Sequence, residues 1–254
     1  MGFTIWQAVI ICPLIFLAGF IDAIAGGGGL ISLPAYMIAG FPVHVSIASN
    51  KLSSAMGTTF VTIKYFMDGF IPVKISCCSM IFALIGSGLG AKTALLISDG
   101  IFKILMLIIL PATAFYVMKS KKLLTEHEQE NLNEKKIIII CAVIALFLGF
   151  YDGFYGPGAG TFMMILLCGW ARLNVQKANG VAKAMNMATN LAALIVYFLN
   201  GKVILILGLM AGIFSIIGNY VGAKFFEKGG ANIVRPVIFI VLILFLIRVI
   251  SDLI

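Results

Sequence analysis

The chain has 254 residues, of which 61% are hydrophobic and 11% charged, with 20 Phe and 12 Met. A soluble domain of this length could not cover so much apolar surface, which leaves a membrane protein. The net charge of +8 is what cytoplasmic loops rich in Lys and Arg produce and calls for no nucleic-acid partner.

The first apolar run, 3–21, has no basic segment before it and leads straight into GFIDAIAGGG (19–28). It lacks the features of a cleavable signal peptide and is expected to stay in the mature protein. Gly26, Gly27, Gly28 and Gly29 interrupt the chain there. The apolar piece that follows, 30–41, covers only part of a bilayer and predicts a half-helix. Runs 45–67, 71–91 and 101–118 are each near the roughly 20 residues that cross about 30 Å of hydrocarbon. Together they make a first unit, 1–118. The polar stretch KSKKLLTEHEQENLNEKK, 119–136, holds four of the ten acidic residues and reads as a solvated connector whose charge pattern suits a short surface helix. A second unit, 137–254, has the same order: a run at 137–155 ending in GFYDGFYGPG (149–158), a short apolar piece at 161–171, then runs at 178–199, 203–223 and 233–250.

The two units are copies. IFALIGSGLGAK (81–92) returns as IFSIIGNYVGAK (213–224), and Lys51/Lys183, Tyr65/Tyr197, Phe66/Phe198 and Gly69/Gly201 match at the same spacing. The expected fold is an all-α polytopic membrane protein of two repeats, each with about five transmembrane segments and a glycine-broken half-helix after its first helix. With the connector inside, five crossings per repeat put twelve lysines and arginines on the cytoplasmic side and four outside, whereas re-entrant half-helices would leave nine against seven. The first arrangement is preferred. An odd number of crossings inverts one repeat relative to the other, the plan that supports alternating access, and both termini then face outward.

Glycine and proline as dense as Gly26 to Gly29 and Gly156, Pro157, Gly158 and Gly160 break a helix and free backbone N–H groups. Such breaks survive in a membrane only where protein, water or substrate satisfies them. The half-helices would point their positive N-terminal ends at the breaks, which makes Gly27, Gly28, Gly29, Gly158 and Gly160 candidates for an anion site. Close packing by small residues is the competing explanation. Asp22 and Asp152 precede the breaks at matched positions, and two roles fit them. They can accept N–H groups of the glycine turn as caps, or burial can raise their pKa until they carry a coupling proton. Lys51 and Lys183, with Ser49, Asn50, Asn186 and Asn190 around them, would complete a cationic, hydrogen-bonding pocket for an oxyanion. Snorkelling to the interface is the alternative.

Lys92 and Lys224 follow Gly86/Gly90 and Gly218/Gly222, and small-residue packing with interfacial snorkelling accounts for both. His44, His127 and the five cysteines have no partners at metal-ligand spacing, so neither a metal, a cofactor nor structural disulfides are expected. No HExxH, GxSxG or Cys/His constellation supports an enzyme.

GFIDAIAGGGGLISLP, SNKLSSAMGT, GFYDGFYGPGAGTF and AKAMNMATNLAAL resemble the sulfite exporter TauE/SafE family, also called the toluene sulfonate uptake permease family, and its YfcA-like bacterial branch, over nearly the whole chain. Ser49 departs from the threonine of many relatives and keeps the hydroxyl. The resemblance implies a multi-pass transporter of the bacterial inner membrane, carrying small anions such as sulfite, sulfonates or other organosulfur and carboxylate compounds. Its partners would be that anion and the bilayer, with a proton as candidate coupling ion; an oligomer is compatible with the sequence. An anion channel is the alternative, since helix ends around a pore also select anions.

Overall fold

A computed structural model describes residues 3–119 and 132–227. Most of the polar connector and the apolar run expected at 233–250 lie outside the described residues. Among the described residues there is no strand. The helices are α1 (Ile5–Ala25), α2 (Gly29–Ile38), α3 (Val43–Met67), α4 (Val73–Leu95), α5 (Asp99–Lys119), α6 (Glu134–Phe154), α7 (Ala159–Gly169), α8 (Val175–Leu199) and α9 (Leu205–Glu227). Five of them, α1, α4, α6, α8 and α9, are long and apolar enough to cross a membrane, so the chain is a multi-pass membrane protein.

α2 and α7 have 10 and 11 residues. At about 1.5 Å per residue they span about half of a 30 Å hydrocarbon layer, as expected of half-helices. α1 starts at a capping box formed by Thr4 and Gln7. It runs past position 21, where its apolar run stops, because Asp22 finds a partner inside the protein.

α3 and α8 end in the same way. Phe70 N–H donates to the Tyr65 carbonyl (3.0 Å) and Lys202 N–H to the Tyr197 carbonyl (3.1 Å). The intervening Gly69 and Gly201 have φ of 75° and 65°, a left-handed conformation that glycine adopts without strain. The hydroxyls of the same tyrosines reach back to the first helix of their own half, Tyr65 to the Ala23 carbonyl at 2.9 Å and Tyr197 to the Gly153 carbonyl at 3.3 Å.

The two halves are not packed as separate bodies, because each lends its fourth helix to the other. α9 packs along α1 and α3, and α4 along α6 and α8. Ile11 and Ile15 of α1, Tyr36 of α2, Val45 of α3 and Leu207 of α9 share one apolar core. Ala83 of α4, Ile144 of α6, Met163 of α7 and Met185 of α8 share another. Glycines explain how the exchanged helices dock so closely. A Cβ at Gly86 or Gly90 would run into the Leu146 or Phe150 carbonyl of α6, and one at Gly218 or Gly222 into the Phe16 or Phe20 carbonyl of α1. This is the small-residue packing expected of these positions. Lys92 and Lys224, at the ends of the same helices, are exposed.

Candidate functional site

The two glycine breaks meet. α1 closes on Gly26, with φ 72° and its N–H on the Asp22 carbonyl at 2.8 Å. The second break turns through Gly156 (φ 99°) and Gly158 (φ 81°). A Cβ at Gly26 would sit 2.6 Å from the Thr161 amide nitrogen, and one at Gly29 would sit 3.0 Å from Pro157 Cα. Only chains stripped of side chains can approach this closely. The Thr161 hydroxyl ties the pair together by donating to the Ala25 carbonyl at 2.7 Å.

The matched lysines and aspartates pair crosswise. Lys51 Nζ of the first half lies 3.0 Å from Asp152 Oδ2 of the second, and Lys183 Nζ of the second lies 2.7 Å from Asp22 Oδ2 of the first. Lys183 also donates to the Asp22 backbone carbonyl, and Lys51 donates to Asn190 Oδ1 at 3.1 Å. Burying a charge is tolerable only with such compensation. Lysines are thus the partners of both carboxylates, and among the described residues no amide of the glycine turns reaches either one.

The breaks, α1, α3, α8 and α9 enclose a polar cavity of about 40 Å³, where a single water needs roughly 10–15 Å³. Asp22, Gly28, Gly29, Asn50 and Lys51 line it from the first half of the chain, and Asp152, Gly160, Asn186 and Asn190 from the second. Gly27 and Gly158 belong to the breaks without lining it. Ser49 of α3 is fully buried and does not line the cavity; its hydroxyl accepts the Ile204 N–H at 3.1 Å and its carbonyl the Tyr36 hydroxyl. Lys183 is buried completely in its pair with Asp22 and does not reach the cavity.

Sequence inspection missed Ser32, Ser54 and Thr58, and from α9 Ser215 and Asn219, all of which line the cavity. The α9 pair had a signal. Where IFALIGSGLGAK has Ala83 and Ser87, its copy has Ser215 and Asn219, polar residues one helical turn apart in an apolar run. The cavity is lopsided for that reason. The exchanged partner region beside α4 has Ala83 and Met185 in an apolar core.

His44, outside this site, is a structural link. Its ring bonds the Asp99 carboxylate at the start of α5 and, through Nε2, the Ala94 carbonyl at 2.9 Å. All five cysteines are free.

The profile of the family described as sulfite exporter TauE/SafE matches residues 11–249. The chain belongs to that family. It is 32% identical to a probable membrane transporter protein of Haemophilus influenzae, over 93% of this chain and 92% of the relative. It is equally similar to the probable membrane transporter protein ORF9 of a Sinorhizobium species, over 93% and 90%, and to the probable membrane transporter protein YfcA of Escherichia coli K12, over 89% and 82%. No solved structure matches it. As a TauE/SafE member with relatives in the YfcA branch, it is a membrane transporter and not an enzyme. The TauE/SafE match includes both glycine breaks, both ion pairs and the whole cavity lining.

Proposed function

We propose that this protein is a secondary transporter of a small anion, sulfite, a sulfonate or another organosulfur or carboxylate compound, and that the anion binds in the polar cavity beside Lys51. The observation that carries this reading is a cavity placed where two chain breaks meet, with one cation on its wall and with Asn50, Asn186 and Asn190 able to donate. The N-terminal turn of α2, beginning at Gly29, adds its partial positive charge. An arriving anion takes the place of the Asp152 carboxylate beside Lys51, with a proton as the candidate coupling ion. Anion and proton then travel together. Lys183, which does not reach the cavity, holds Asp22 at the first break.

Alternating access follows from the inverted relation of the units 1–118 and 137–254. The exchanged helices refine which bodies move. α1, α2, α3 and α9 form one, α4, α6, α7 and α8 the other, and they meet where α3 crosses α8. The distribution of Lys and Arg supports a bacterial inner-membrane protein with the connector inside and both termini outside.

The test is counterflow in proteoliposomes. Labelled sulfite, sulfonates and small carboxylates are offered to vesicles preloaded with the unlabelled anion. Saturable counterflow that is lost in Lys51→Gln supports the reading. Unitary currents without counterflow would assign the protein to anion channels, and no flux of any of these anions would remove the anion reading.

A further inference from the structure

Three side-chain atoms on the cavity wall are buried without a hydrogen bond: Asp152 Oδ2, Ser32 Oγ and Asn219 Oδ1. Asp152 Oδ2 has the Lys51 ammonium beside it, and a serine hydroxyl can turn to donate or accept. Asn219 is different. Its amide nitrogen donates to the Ser215 carbonyl at 2.9 Å, and because a carbonyl only accepts, this bond fixes which end of the amide is nitrogen. The remaining atom, Oδ1, is an acceptor and nothing else. Asn219 is 1% exposed. A buried acceptor left without a donor forfeits its solvation.

The residue in the matching place of the first half shows what is special here. Ser87 donates its hydroxyl to the Thr189 carbonyl at 2.6 Å, so donor and acceptor share one oxygen already held in a bond, whereas the Asn219 amide keeps an acceptor atom apart from its donor. Room for the longer Asn219 is made by two glycines. A Cβ at Gly57 would press on the Asn219 amide, and one at Gly19 would lie 2.9 Å from Nδ2. The cavity therefore offers two chemistries, a cation with amide donors for a negative group, and a fixed acceptor for a group that brings a proton.

We infer that the anion carried by this protein bears a hydrogen-bond donor, a hydroxyl or amino group, in addition to its charged group, and that Asn219 Oδ1 receives it. Asn219 is then a specificity-determining residue. This rests on the proposal that the cavity binds a small anion. A site built to pair a substrate hydroxyl or amine discriminates against the analogue lacking it, because the protein's own polar group is left unpaired.

Matched probes test this. Ethanesulfonate is compared with 2-hydroxyethanesulfonate and 2-aminoethanesulfonate, and acetate with glycolate, by titration calorimetry on the full chain in detergent. The expected result is that a donor-bearing anion binds at least about tenfold tighter than its plain partner. In Asn219→Leu that gap falls below about twofold through loss of the donor-bearing anion alone. If Asn219→Leu does not fold, Asn219→Ala, which also removes the acceptor, gives the same readout, and the comparison on the unaltered protein stands without either. Equal binding of plain and donor-bearing anions overturns the inference, with water then filling the role of donor, and leaves the anion site standing. Binding of none of them overturns both.

Discussion

Thr58 and Asn190 hold the same place in the two halves of the chain, and they touch: Asn190 Nδ2 lies 3.5 Å from Thr58 Oγ1. A residue that meets its own counterpart marks where α3 and α8 cross. Asn190 also takes the Lys51 ammonium on its Oδ1, so the crossing point and the candidate anion site share a side chain. In the proposed mechanism that amide couples motion at the crossing to occupancy of the site, and the following outcomes are expected.

Replacing Lys183 with Met leaves Asp22, which is 15% exposed on the cavity wall, without its cation. A loss of about 1–3 kcal/mol in stability is expected, read as a lowered unfolding temperature in detergent. The double variant Lys183→Met/Asp22→Leu should recover most of the loss, since it removes both charges. A Lys183→Met protein as stable as the parent would show that the pair contributes nothing.

Lys51→Gln should weaken anion binding while the protein stays folded, because Gln keeps a donor to Asn190. Binding weaker by about 100-fold, the worth of roughly 2.7 kcal/mol, is expected in calorimetry. Retained affinity would move the site away from Lys51.

Gly90 and Gly88 make a controlled comparison on one helix. A Cβ at position 90 meets the Phe150 carbonyl, whereas at position 88 it meets nothing within 4 Å. Gly90→Ala should cost about 1–3 kcal/mol by forcing α4 from α6. Gly88→Ala should be neutral or stabilising by less than about 1 kcal/mol. Thermal unfolding of the two variants distinguishes a packed from an open position.

The exchanged bodies predict which helices move apart. A thiol cross-linker joining cysteines at 63 and 187, which line one groove between α3 and α8 outside the candidate site, introduced in a cysteine-free background, should stop counterflow, with recovery on cleavage of the linker. Linking 60 to 220, where the Phe60 and Tyr220 rings of α3 and α9 lie 6.0 Å apart inside one body, should leave counterflow intact. The opposite pattern would return the moving bodies to the halves as they run along the chain.

In the same background, a cysteine at Thr4 should react with an impermeant maleimide on intact cells and one at Glu134 only after permeabilisation. Labelling of both, or of Glu134 alone, would reverse or break the proposed orientation.

Much of this protein is set by local chemistry and is legible in one dimension. The long apolar stretches make spanning helices because their backbone can be satisfied in lipid only within the segment. Gly26 to Gly29 and the run from Gly156 to Gly160 end helices because they lack the side chains or the N–H groups to continue them. The internal copy makes Lys51 and Lys183, and Asp22 and Asp152, visible as matched pairs. What no local rule contains is which lysine meets which aspartate, or that α4 and α9 change places between the halves. Those outcomes depend on docking of surfaces far apart in the chain, where Gly86 and Gly90 accept α6 and Gly218 and Gly222 accept α1. Only the packed structure seals Lys183 away while leaving Lys51 on a cavity wall, because the polar residues Ser215 and Asn219 come from one copy of a helix whose other copy carries Ala83 and Ser87. Sequence symmetry assigned the two lysines equal parts, and the unequal packing around them decided their different surroundings.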